Sequence, residues 1–142
     1  MSSQRYSNHR RFVPGYHYAL TALLLATIVG SVINLLNAPE DGIYSASLIT
    51  ALSIGLFITA LYARAFALKV QDRVIRTEER LRHQALTGDT LPSGLSVRQI
   101  IGLRFASDDE FAALAASAAK DGTSEADIKK AIKMWRADED RA

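Results

Sequence analysis

The chain has 142 residues, with 17 Lys and Arg against 15 Asp and Glu, and no cysteine. Disulfides, thiol catalysis and cysteine-ligated metals are therefore excluded. The net charge is only +2 and residues 83–142 hold more acids than bases, so the domain-scale basic footprint of a nucleic-acid binder is missing.

Residues 1–12 form a basic segment carrying Arg5, Arg10 and Arg11 and no acid. Two uncharged apolar stretches follow, Phe12 to Pro39 and Gly42 to Ala63, with only Glu40 and Asp41 between them. A helix of about 20 apolar residues crosses a bilayer core of roughly 30 Å. The stretches predict a transmembrane hairpin over residues 13–63, with helices at 14–36 and 44–63 and a turn at 37–43. Pro14 suits a first helical turn, and Asn37, Pro39, Asp41 and Gly42 supply turn chemistry. The first stretch is longer than a signal-peptide core, and Leu36 stands two positions before Ala38 where a cleavage site wants a small residue. It is expected to be a permanent anchor. Cations flank both ends of the hairpin and not its tip, which predicts a multi-pass protein with both termini cytoplasmic.

Small residues recur every four positions in each span: Ala22, Ala26, Gly30 and Asn34 in the first, Ser47, Ala51, Gly55, Thr59, Ala63 and Ala67 in the second. Close backbone approach along such faces draws helices together in lipid. The ladders are expected to face each other within the hairpin, with packing against another subunit as the alternative. Neither span holds an ionisable residue in its middle, where pumps and charge-selective pores place one. Aromatics and cations gather at the first boundary, among them Arg10, Arg11, Tyr16 and His17, as a membrane–water interface favours. With Arg64 and Lys69 they are candidate contacts for lipid headgroups or a partner.

Residues 64–86 contain no Gly or Pro, so the second helix is expected to continue as a cytoplasmic stalk. Phe66, Val70, Val74, Thr77 and Leu81 form one helical stripe, expected to be buried against Phe111, Leu114, Ile128 or Trp135. Asp72 with Arg76 and Glu78 with Arg82 are four apart and suited to ion pairing. The charged run from Gln71 to Arg82 is a solvated face or a docking surface for the tail or a partner, with Arg73 and Arg76 the candidate contacts. A linker with Gly88, Pro92 and Gly94 leads to a three-helix tail, residues 95–142. Ser96 with Gln99, Ser107 with Glu110 and Ser124 with Asp127 read as helix-opening capping boxes, and Gly122 as a left-handed helix end. Ile128, Ala131, Ile132 and Trp135 share one helical face. No phosphate-cradling loop, nucleophile elbow or paired-His motif is present, so no enzyme activity, cofactor or metal is expected.

Four blocks carry a resemblance: Tyr6-x-Asn8-His9-x-Arg11-Phe12-x-Pro14-x-Tyr16-His17, Phe66 to Arg82, Leu103-Arg104-Phe105-Ala106-Ser107-Asp108-x-Glu110, and Lys129 to Asp138. Together they resemble an uncharacterised family of small bacterial proteins with two spans and a cytoplasmic helical tail. The resemblance implies a bacterial cytoplasmic (inner) membrane location and no activity.

The expected fold is all-α: a two-helix transmembrane hairpin, a stalk continuing the second helix, and a cluster of three short helices. The expected function is that of a non-enzymatic accessory, scaffold or interaction subunit at the cytoplasmic membrane face. Its partners are the lipid bilayer and either another protein or further copies of itself, not nucleic acid. Lipid-headgroup binding or membrane organisation is one alternative, and an oligomeric small pore or carrier is another.

Overall fold

A computed structural model describes residues 5–7 and 13–137. Its secondary structure is all-α, with helices α1 (Thr21–Leu36), α2 (Ile43–Thr87), α3 (Val97–Leu103), α4 (Asp108–Asp121) and α5 (Glu125–Ala131). The chain divides into two compact units, residues 11–66 and residues 67–142 together with 1–10, with α2 contributing to both.

In the first unit the chain enters α1 through a π-helical turn, Gly15–Leu20. Asn37 ends α1, its side-chain amide donating to the Ile33 carbonyl at 2.7 Å. The Gly42 N–H donates to the Pro39 carbonyl at 2.8 Å and closes the connection. A Cβ at Gly42 would stand 3.3 Å from the Pro39 ring, so this tight turn favours glycine. Gly15–Leu36 and the apolar part of Ile43–Thr87 are each long and apolar enough to cross a membrane. Only 11% of each apolar window is buried, unlike the core helix of a soluble protein.

The seam between α1 and α2 is made by Leu24 and Ser31 on one side and Ala46, Thr50 and Ser53 on the other. The Thr50 hydroxyl lies 3.1 Å from the Ser31 carbonyl and 3.0 Å from that of Ala46, tying the helices through the backbone. This corrects the expected pairing of ladders within the hairpin. Ala22, Ala26, Gly30, Ala51, Gly55 and Thr59 are all exposed, and a Cβ added at Gly30 or Gly55 would meet nothing within 4 Å. The reason is helical pitch. At 3.6 residues per turn, a strict four-residue step drifts about 40° each time and leaves any straight seam. The seam residues Leu24, Ile28, Ser31 and Leu35 step by four, three and four, as do Ala46, Thr50, Ser53 and Phe57, and they stay in register.

In the second unit, α2 presents Ile75, Glu79 and His83 as its buried face. The expected stripe is corrected: Phe66, Val70, Val74 and Leu81 are exposed, and Thr77 with them. Gly88, at φ 80°, ends the helix, its N–H donating to Gln84 at 2.9 Å. The Ser96–Gln99 capping box forms as expected, and the Gln99 amide also donates to the Ala118 and Thr123 carbonyls at 3.1 and 2.9 Å. One side chain thus opens α3 and holds the end of α4. The α3–α5 crossing is close at Gly102, where a Cβ would lie 3.2 Å from the Glu125 carbonyl oxygen.

Leu103, Phe105, Phe111, Ala115, Ala118, Ile128 and Ile132 form the tail core, with Leu91, Leu95, Leu114 and Trp135 packed around it. Fully burying each Phe stabilises the fold by roughly 1.5–3 kcal/mol. Two further expectations are corrected. Ser107 stands at the α4 N-cap but its hydroxyl makes no cap bond. Glu110 instead reaches across to accept from the Lys133 and Met134 N–H groups at 3.1 and 3.0 Å. The last helix stops at Ala131, and Ile132 and Trp135 do not continue its face. Trp135 sits in an isolated antiparallel bridge with Ala106, the Arg136 N–H donating to the Phe105 carbonyl at 2.8 Å. Extended backbone lays the indole on Phe105, ring centroids 5.0 Å apart.

Candidate functional site

The densest polar constellation among the described residues is built on Arg82. Its position on α2, three residues after Glu79 and seven after Ile75, places it on the face that meets the tail. Its Nη1 donates to Glu79 Oε2 at 3.0 Å, its Nε to Asp108 Oδ1 at 2.7 Å, and its Nη2 to the Ala106 carbonyl at 2.7 Å. The guanidinium also lies over the Phe111 ring, 4.4 Å from its centroid. The Arg82 and Glu79 side chains are 10% and 7% exposed, whereas that of Asp108 is 62% exposed. Arginine suits this place because a planar fork serves several acceptors at once and its face stacks on an aromatic ring.

Burial pushes the Glu79 carboxyl above its ordinary pKa of 4.5, against the opposing pull of the Arg82 hydrogen bond and of the Arg82 and Arg136 charges. One turn on, His83 is buried with Nδ1 3.1 Å from the Asp89 carbonyl and its ring edge-on to Phe111, 6.0 Å between centroids. A carbonyl only accepts, so this contact assigns the proton to Nδ1. Thr87 donates to the His83 carbonyl at 2.8 Å and accepts from the Asp89 N–H at 3.1 Å. Together these bonds fix the end of α2, the chain that leaves it, and the start of α4. Arg82 takes the place beside Glu79 rather than Glu78, so the expected four-apart pair gives way to a three-apart one.

A second basic and aromatic surface surrounds Phe105. Lys129 Nζ lies 5.4 Å from the ring centroid and pairs with Glu125 at 2.6 Å. Beside it, Lys130 pairs with Asp127 at 3.1 Å. The Ser124 hydroxyl first, and Lys130 second, hold the Asp127 carboxyl below its usual range. An open groove of about 660 Å³ runs along Tyr6, Ser96, Thr123, Ser124 and Lys129.

The sequence-derived candidates are dispersed. Tyr16, His17 and Arg64 come together at the end of the hairpin away from its turn. The Tyr16 hydroxyl donates to the Ala60 carbonyl at 2.8 Å, Arg64 lies 6.0 Å over the Tyr16 ring, and His17 meets Tyr16 edge-on. Lys69 and Arg73 are exposed on α2 and Arg76 is half-buried. Arg10 and Arg11 lie outside the described residues. Sequence reasoning missed Arg82, His83 and Asp108 as a unit. The available signal was the charged run from Gln71 to Arg82 together with the separate Arg104–Asp108 segment, which supplies the Ala106 carbonyl and Asp108.

Comparison with curated proteins and with solved structures finds no match. A model of a family of unknown function (DUF6526) matches residues 1–142. Its span takes in the apolar hairpin, the Arg82 constellation and the tail core alike, and the chain belongs to this family.

Proposed function

We propose that the chain is a non-enzymatic accessory or scaffold subunit, anchored in a bacterial cytoplasmic membrane and holding a helical interaction module at its inner face. In this reading α1 and the apolar part of α2 cross the bilayer, and both ends of the hairpin emerge on the cytoplasmic side. Apolar length supports the crossing, and the cations beyond both ends, with only Glu40 and Asp41 at the tip, support the orientation.

The observation that carries the holding role is the Arg82 clasp. Its donors meet two carboxylates and a carbonyl, an arrangement suited to fixing a module on a stalk and not to turning over a substrate. Headgroup binding draws less support, because the Tyr16 hydroxyl is already engaged by Ala60. Extraction in mild detergent, native sizing and mass spectrometry test the proposal. A defined complex with a second polypeptide, lost when the chain is truncated after Thr87, is the expected result. Assemblies containing this chain and lipid alone contradict the accessory role.

A further inference from the structure

The face of α2 turned away from the tail is apolar and uncovered. Val70 is 63% exposed, Val74 48% and Leu81 62%. Positions 67, 70, 74, 77, 81 and 84 step alternately by three and four, a heptad seam with Ala67, Val74 and Leu81 at a and Val70, Thr77 and Gln84 at d. All six are exposed. Arg82 and His83, which contact the tail, and Ile75 and Glu79, buried on the same side, fall at b, c, b and f. The seam and the tail therefore occupy opposite sides of one helix and do not compete.

We propose that this seam is covered by the same seam of a second copy, forming a parallel two-stranded coiled coil in the stalk. The flanking charges specify the partner and its direction. In a parallel pair, each g residue faces the e residue five positions later on the other strand. Arg73 is at g and Glu78 at e, so Arg73 of each copy meets Glu78 of the other, twice per dimer. Both side chains are exposed and neither forms an ion pair among the described residues. An antiparallel pair instead sets g against g, bringing Arg73 and Arg80 together. A stripe destined for lipid or a generic apolar partner has no need of this pairing. The seam is short and carries Thr77 and Gln84, so it is weak in dilute solution. Confinement of both stalks to one membrane raises their effective concentration, and here the inference rests on the anchoring proposed above.

The chain has no cysteine, so single cysteines report the seam directly. Val74→Cys and Thr77→Cys are introduced into the full chain in native membranes and mildly oxidised, with Lys69→Cys, at the c position, as the control. Disulfide-linked dimer is expected at Val74→Cys at about five times the control yield or more, since only facing positions bring Cβ atoms within bridging distance. Adding Arg73→Glu to Val74→Cys sets like charges across the seam and lowers the yield about fivefold; so does adding Glu78→Arg. Co-expressing the two reversed forms restores it as a mixed dimer. Equal yields at positions 69 and 74 overturn the proposal, and so does indifference to charge reversal. Alkaline carbonate extraction of the same samples reads anchoring separately. The cross-link is scored in whichever fraction holds the protein, so failure of the seam and failure of the anchor are distinguishable.

Discussion

At the residue scale, Arg82 and Glu79 pose the usual question of a buried ion pair, whether mutual attraction exceeds the loss of water. For Glu79 it does not: burial is the largest influence on its carboxyl and raises its pKa above 4.5 even with Arg82 hydrogen-bonded to it. Below pH 4.5 the carboxyl is protonated in folded and unfolded chains alike, and no buried charge opposes folding. Through the window between 4.5 and the raised folded value, the folded chain holds the proton more readily. Stability contributed this way is therefore lost as pH rises through the folded pKa. Glu79→Gln keeps an oxygen to accept from Arg82 and removes the buried charge. It is expected to flatten the pH dependence above 4.5 and to change tail stability at neutral pH by no more than about 1 kcal/mol. The single tryptophan, Trp135, packed on Phe105, reports unfolding by fluorescence. A steeper pH dependence in the variant would be the contrary finding.

At the element scale, α2 is read by two different rules along its length. Its first part is lipid-length and apolar, and its last part meets the tail through Arg82 and His83, with Ile75 and Glu79 buried on the same side, while an apolar stripe stays outside. Val74 is exposed and its neighbour Ile75, about 100° further round the helix, is buried, so the pair separates the two faces. Ile75→Asp buries a charge without a partner and is expected to cost roughly 3 kcal/mol or more of tail stability. Val74→Asp sits on the exposed stripe and is expected to change tail stability by less than about 0.5 kcal/mol. Limited proteolysis of the tail distinguishes the variants, and equal sensitivity would contradict the assigned faces.

These elements also show where the sequence was legible. Helix existence, the hairpin turn, the Ser96–Gln99 cap and the Gly122 helix end rest on local chemistry, and the structure carries them. The packing faces did not follow from local chemistry. Apolar periodicity marks a stripe but not its occupant, and a polar face displaced it because Arg82 finds acceptors in the tail and His83 packs on Phe111. The same logic applies to Glu110, which bonds the Lys133 and Met134 amides rather than its own helix start, because a distant segment offers two N–H groups. Trp135 likewise leaves the helical pattern for a bridge that only the folded tail provides. In the hairpin, hydroxyl and small residues (Ser31, Ala46, Thr50 and Ser53) share the seam with the larger Leu24, and pitch moves it off the four-residue ladders.

At the scale of the whole molecule, the proposed role requires the tail to be held on the stalk rather than tethered to it. Arg82 is the residue through which this holding is most concentrated, since one side chain joins Glu79 of α2 to Asp108 and the Ala106 carbonyl. Removing it leaves Glu79 buried without its cation, a change that typically destabilises by about 3–5 kcal/mol. The decisive measurement is amide hydrogen exchange on the full chain in lipid nanodiscs, native against Arg82→Ala. The account predicts that exchange rises together in residues 71–87 of α2 and in α4, while α1 and the apolar part of α2 keep their protection. Unchanged exchange in α4 would contradict it and leave the tail a tethered module whose position the stalk does not set.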